Sequence, residues 1–187
     1  TITRIITELM QQGIVLEGTH GKSTGGRRPI YLHIDHTKLY IASVKLVRDD
    51  CLVAVLDLRG QILAKEPLRP SSFEARALLS DVASSLRAIM ASLSIKPEHV
   101  IGVGVSASGI CHPVEGIVIR SLNLGWKDVP VADILGELLG LPVLLENDAN
   151  ACALAEHWLG NARETMNSMY IKAESGAGVG IISNQAL

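Results

Sequence analysis

Side-chain chemistry is concentrated in Glu146-Asn147-Asp148-Ala149-Asn150. The Asp148 carboxylate is an acceptor with two oxygens, placed where an apolar run stops. The Asn147 carboxamide beside it both donates and accepts. Asn and Asp are also preferred helix N-caps, and a pair of them before an alanine-rich helix has that structural reading in its own right. Leu141 to Leu145 reads as a short buried strand after a glycine and a proline, and Ala149 to Leu159 has the Ala/Leu content of a packed helix. A strand running straight into a helix puts Asn147 and Asp148 at the carboxyl end of a sheet, where open α/β sheets bind ligands.

A second group of chemically apt residues lies at the other end. Thr1, Thr3, Arg4 and Thr7, with Glu8 and Gln11, share the polar face of a helix whose apolar stripe is Ile2, Ile5, Ile6, Leu9 and Met10. Gly13 is placed to end that helix. Two short strands follow, Ile14 to Glu17 and Ile30 to Asp35, the second with period-two alternation. The loop between them carries Lys22, Arg27 and Arg28 and no acidic residue, so it is locally cationic and suited to phosphates or a minor groove. Helix, strand, basic glycine-rich loop and strand is the order of a winged helix-turn-helix entered at its recognition helix. An ordinary solvated surface hairpin has the same composition.

Between these ends, Tyr40 to Leu46, Cys51 to Leu58 and Gln61 to Lys65 read as an antiparallel meander, and Phe73 to Ser94 as a long helix stopped by Lys96-Pro97. Val100 to Ser106 reads as a buried strand running into Ala107-Ser108-Gly109. Three strands, a helix and another strand open an α/β lobe of the actin-like, ribonuclease-H-like type. Ile110 to His112 and Gly116 to Ile119 read as a hairpin about Pro113-Val114-Glu115, Ser121 to Trp126 as a loop, and Val131 to Leu139 as a helix ending at Gly140. Ser168 to Ala173 and Val179 to Ile182 read as strands whose turn, with Gly176, Gly178 and Gly180, can present N–H groups to a phosphate, as an ordinary glycine-rich hairpin turn also would by composition.

The 187 residues are 48% hydrophobic, enough for a sizeable core in one or two domains. A net charge of −2 gives the chain as a whole no polyelectrolyte character, so any DNA contact must be local. Neither a membrane-spanning run nor a secretory signal is visible, and a cytoplasmic location is expected. Cys51, Cys111 and Cys152 are far apart and lack a partner at ligand spacing, so they read as reduced thiols rather than a metal site. The chain opens at Thr1 inside a helical pattern and closes at Leu187 soon after a glycine-rich turn, and further residues are expected at both ends.

Gly25-Gly26-Arg27-Arg28-Pro29, Asn123-Leu124-Gly125-Trp126, Glu146-Asn147-Asp148-Ala149-Asn150 with Ala155-Glu156, and Gly176-Ala177-Gly178-Val179-Gly180 resemble, in that order and spacing, the ROK family of repressors and sugar kinases. The resemblance implies two hexokinase-type lobes around a sugar cleft, preceded in repressors by a winged helix-turn-helix. The implied boundaries are 1–36 for a partial winged helix, 37–146 for the first lobe and 147–187 for the start of the second. It assigns the sugar to Gly109, Asn123, Asn147 and Asp148, with Asp148 the general base in a kinase and Gly109 allowing close backbone approach. The kinase phosphate loop, Asp-x-Gly-Gly-Thr, matches Lys45 to Asp49, where the aspartate is lysine, both glycines are bulky and the threonine is an aspartate. Ala177 likewise replaces a threonine in the second loop. A sugar-responsive repressor, not an enzyme, is therefore expected, acting as a homodimer or higher homo-oligomer on operator DNA with a monosaccharide or disaccharide effector. A sugar kinase with an altered nucleotide loop and a binding module without either activity are the alternatives. No cofactor is expected in this chain, since the family's zinc site would lie beyond Leu187.

Overall fold

The computed structural model describes residues 1–21, 28–174 and 176–187. Its centre is a five-stranded sheet in the order β5-β4-β3-β6-β10, formed by β3 (Tyr40–Leu46), β4 (Leu52–Asp57), β5 (Ile62–Pro67), β6 (Val100–Ala107) and β10 (Val143–Asn147). The first three strands form the expected antiparallel meander, and β6 and β10 add to β3 in parallel.

One face of this sheet is closed by α2 (Ala75–Ser92) and α3 (Val131–Leu139). Strand alternation sends Ala42, Val44 and Leu46, then Val53 and Val55, then Val103 and Val105 to that side, all buried. From α2 they meet Leu78, Leu79, Val82, Leu86 and Ile89, the three-and-four spacing that one helix face requires. Each such side chain contributes about 1.5–3 kcal/mol on burial. Glu74 caps α2 by accepting from the amides of Arg76 and Ala77, which fixes the start two residues after Phe73. Along β6, Val100, Val103, Val105 and Ala107 are buried, while Ile101 and Gly104 are exposed.

A smaller antiparallel sheet follows, of β7 (Ile110–His112), β8 (Ile117–Ser121) and β9 (Trp126–Val129). The expected hairpin is present, but β8 runs on to Ser121, and Trp126 opens a third strand instead of ending a loop. Only Trp126 and Val129 of β9 are buried, with Lys127 and Asp128 exposed between them, so the run is too polar to read as a strand. Tertiary packing decides it, and Trp126 Nε1 donates to Phe73 O at 2.8 Å. Beyond β10 come α4 (Asp148–Trp158) and the hairpin of β11 (Ser168–Ala173) and β12 (Ala177–Ile182), which packs on α4.

At the front, α1 (Ile2–Gln11) leads into the antiparallel pair β1 (Val15–His20) and β2 (Ile30–Ile34). The apolar stripe of α1 is present in sequence but buries none of its residues: Ile2 is 81% and Ile5 56% exposed. All five residues of β2 are exposed as well, so its alternation marks no inner face here. No described helix is long and apolar enough to cross a membrane.

Candidate functional site

Three parallel strands finish on one row. Leu46 of β3 pairs with Ala107 of β6, and Ala107 with Asn147 of β10. Whatever follows each strand therefore lies along one sheet edge: Val47, Ser108-Gly109, and Asp148. Two bonds hold the edge closed, Ser108 N to Leu46 O at 3.2 Å and Asn147 Nδ2 to Gly109 O at 2.9 Å.

Asn147 is the N-cap of α4. Its Oδ1 accepts from the amides of Ala149 and Asn150, and its Nδ2 donates to Gly109 O and, at 3.2 Å, to Asp148 Oδ1. Its polar atoms are thus spent within the protein, on orienting Asp148 and the Gly109 carbonyl. Glu146 supports the cap from behind, accepting from Asn147 N and Asn150 Nδ2.

Asp148 faces Lys172. The ammonium of Lys172, on β11, lies 2.6 Å from Asp148 Oδ2 and 3.4 Å from Glu174 Oε2. The Lys172 and Asp148 side chains are only 11% and 15% exposed. Burial by itself depresses the lysine, but its hydrogen bond to Asp148 and the charges of Asp148 and Glu174 outweigh burial and hold its pKa above the ordinary value. Lys172 was not among the residues expected from sequence. The available signal was weak: it is the one charged residue in Ser168 to Ala173, in phase with Tyr170.

These groups border a cleft of about 280 Å³, with Val47 and Asn123 on its walls and Gly176 and Gly178 at its lip. Gly109, Asn123, Asn147 and Asp148 are all brought to it. Gly109 adopts φ +112°, and a Cβ there would lie 2.3 Å from Arg120 O, so contact with β8 already requires glycine. The glycines of the β11–β12 turn divide similarly. A Cβ on Gly178 or Gly180 would press on Ala149 or Ala153 of α4, whereas Gly176 faces open space.

The turn after β3 is occupied by its own side chains. Val47 is buried, Lys45 pairs with Asp50, and Arg48 stacks 4.4 Å from the Phe73 ring while donating to Asn123 O at 2.8 Å.

The nucleic-acid candidates form a separate set. Thr1, Thr3, Arg4 and Thr7 are exposed on α1, with Arg4 paired to Glu8 at 3.2 Å and Thr7 donating to Thr3 O. Arg28 is exposed; Lys22 and Arg27 lie outside the described residues. None of the described members of this set lines the cleft.

Among the described residues no three His, Cys, Asp or Glu side chains gather at metal-binding range. Cys111 is pushed up to about 11, first by burial and then by the charges of Glu146 and Asp148. Burial raises Cys51 as well. Both should resist iodoacetamide at pH 7.5 in the folded protein and react in denaturant, since the thiolate is the nucleophile. Modification of Cys111 at the rate of a free thiol would contradict that environment.

A sequence profile described as the ROK family matches residues 41–187. The chain is 29% identical over 188 residues to the xylose repressor of Caldicellulosiruptor bescii, covering 100% of this chain and 47% of that protein. It is 27% identical over 188 residues to the N-acetylglucosamine repressor of Shigella flexneri, covering 98% of this chain and 45% of that one. The chain thus spans about half the length of these relatives. Among solved structures, a ROK family transcriptional regulator described as a homologue of the Escherichia coli MLC protein superposes over 99% of this chain and 47% of its own, with TM-score 0.83 and 23% identity, which speaks for the fold alone. The ROK hexokinase of Thermus thermophilus superposes over 79% of this chain and 48% of its own, with TM-score 0.65 and 26% identity.

Proposed function

Because the chain belongs to the ROK family, we propose that it serves a sugar-responsive transcriptional repressor, supplying one side of the effector cleft and part of a winged helix-turn-helix. The observation that carries this choice is the turn after β3. Where a ROK kinase would bring backbone to phosphate, this chain has buried Val47 and an Arg48 committed to Phe73 and Asn123. A triphosphate there meets side chains rather than free N–H groups, and Asp49 adds like charge. The half of the cleft that would read a sugar keeps its polar groups. Similarity to proteins named as xylose and N-acetylglucosamine repressors supports the same choice.

In this reading Asp148 and Asn123 contact the sugar, while Asn147 and Gly109 position them. Thr1, Thr3, Arg4 and Thr7 of α1 face a DNA groove, and Arg28, with Lys22 and Arg27, faces phosphates. Sugar binding closes two lobes and alters the spacing of two winged-helix domains in a homodimer, so that only one state matches the operator half-sites. The protein would act in the cytoplasm. A kinase is the second reading, favoured by Gly176, which leaves open space beside Asp148 for a phosphate.

The test is gel retardation of the gene's own upstream DNA by the protein expressed from that gene, with and without D-xylose, D-glucose and N-acetyl-D-glucosamine. A sequence-specific shift altered by one sugar is the expected result. No shift under any condition, together with sugar-dependent ADP release from ATP, would replace the repressor by the kinase.

A further inference from the structure

Asp148 has about four lone-pair directions as an ionised carboxylate, and the protein occupies three of them. Its Oδ1 takes the Ala149 amide at 3.0 Å and Asn147 Nδ2 at 3.2 Å, and its Oδ2 takes Lys172 at 2.6 Å. A carboxylate so engaged cannot clasp two neighbouring hydroxyls, because the described residues leave it one acceptor direction, on Oδ2. Lys172 has three N–H donors, of which Asp148 takes one. The contact with Glu174 is long at 3.4 Å, and the Glu174 side chain is 53% exposed, so it holds the second donor loosely.

We propose that Lys172 is a specificity-determining residue, and that Asp148 Oδ2 and Lys172 Nζ form a paired acceptor and donor for two adjacent oxygens of an uncharged sugar. The proposal rests on the sugar-binding reading and deepens it. One ligand hydroxyl donates to Asp148; the neighbouring oxygen only has to accept, from Lys172. A ring oxygen, an amide carbonyl or a second hydroxyl meets that requirement, whereas a diol that must donate twice does not gain from it. The charge of the cleft sets the rest of the class. Among the described residues the charged groups lining it are Asp148, Glu174 and Lys172, two carboxylates against one ammonium, so a sugar phosphate or sugar acid meets a net negative wall.

Calorimetric titration of the protein expressed from its own gene with D-xylose, D-glucose and N-acetyl-D-glucosamine identifies the binder, and deoxy and deoxyfluoro derivatives of that sugar then probe each position. At one position removal of the oxygen should cost wild-type protein at least about tenfold in affinity, while fluorine, which keeps a weak acceptor, costs less. In Lys172→Met the same deoxy change should cost less than about twofold, because its partner is gone. Lys172→Gln, which retains an N–H donor without charge, should restore part of the penalty. The 6-phosphate of a binding hexose should bind no better than the parent. Equal deoxy penalties in wild type and Lys172→Met at every position would overturn the role of Lys172, and tighter binding of the 6-phosphate would overturn the ligand class. Failure of every sugar to bind wild-type protein would instead remove the sugar reading, and this assignment with it.

Discussion

Asp148→Ala is expected to lower the free energy of unfolding by about 2–3 kcal/mol, and the double variant Asp148→Ala/Lys172→Met to recover most of that loss. The asymmetry follows from burial. The lysine side chain is 11% exposed, and the strong partner of its ammonium is the carboxylate 2.6 Å away. Without that carboxylate a charge stays largely desolvated, with only Glu174 at 3.4 Å to compensate. Removing both groups leaves a methionine whose stem fills the same space and carries no charge to solvate. The penalty stays below that of a fully enclosed pair, because Glu174 remains and the site opens on a cleft. Denaturant midpoints of wild type, both single variants and the double variant form the cycle that measures the coupling. Additive single effects would show that the pair is not coupled. The same contact fixes the response to base. Lys172 has its pKa raised in the folded state above the ordinary 10.5, so its contribution is complete below that value and is lost as pH rises through the higher folded one. In the proposed repressor, Asp148→Ala should also abolish the effect of sugar on DNA retardation, and an undiminished response would remove Asp148 from the site.

Gly109→Ala should cost about 3 kcal/mol, or roughly 10 °C in unfolding temperature for a protein of this size. Two penalties coincide there. The φ of +112° is one that residues with a Cβ rarely adopt, and the added carbon would sit 2.3 Å from Arg120 O and 2.8 Å from Ser121 Cα, both backbone atoms. Neither neighbour can swing aside as a flexible side chain does. Gly140→Ala is the control: its φ of +68° is also left-handed, but nothing lies within 4 Å of a Cβ, and it should cost about 1 kcal/mol. Thermal unfolding of the two variants separates collision from conformation, and equal losses would mean that the β6–β7 turn yields freely. Displacing Gly109 also moves the carbonyl that Asn147 holds, so the ligand affinity of Gly109→Ala should fall further than that of Gly140→Ala.

The parts legible in sequence were those in which a residue's periodicity and its burial coincide. Val103 and Val105 alternate inward, and Leu78, Val82, Leu86 and Ile89 recur along one helix face, so β6 and α2 could be placed to within a few residues. The strand β9 could not, because Lys127 and Asp128 interrupt it and Trp126 is anchored by a hydrogen bond to Phe73 O, 53 residues away. The site shows the same division. Asn147 and Asp148 were visible because a strand ends and a helix starts there, and the capping reading of Asn147 is realised in two hydrogen bonds, from the amides of Ala149 and Asn150. Lys172 lies 24 residues from its partner, and no local pattern announces a pairing across that separation. Arg48 met the same obstacle, since Asn123 lies 75 residues further on.

The contact of Gly178 and Gly180 with Ala149 and Ala153 has a mechanical consequence. Helix α4 and the β11–β12 hairpin meet nearly backbone to backbone, with a Cβ on Gly180 reaching within 2.5 Å of Ala149 O. Long side chains can slide or change rotamer under load; small residues meeting closely have little slack to give. The hairpin and the helix are thus closely joined, and Asp148 lies at the end of α4 that meets the sheet edge. A rotation of α4 would therefore carry Asp148 and the hairpin together.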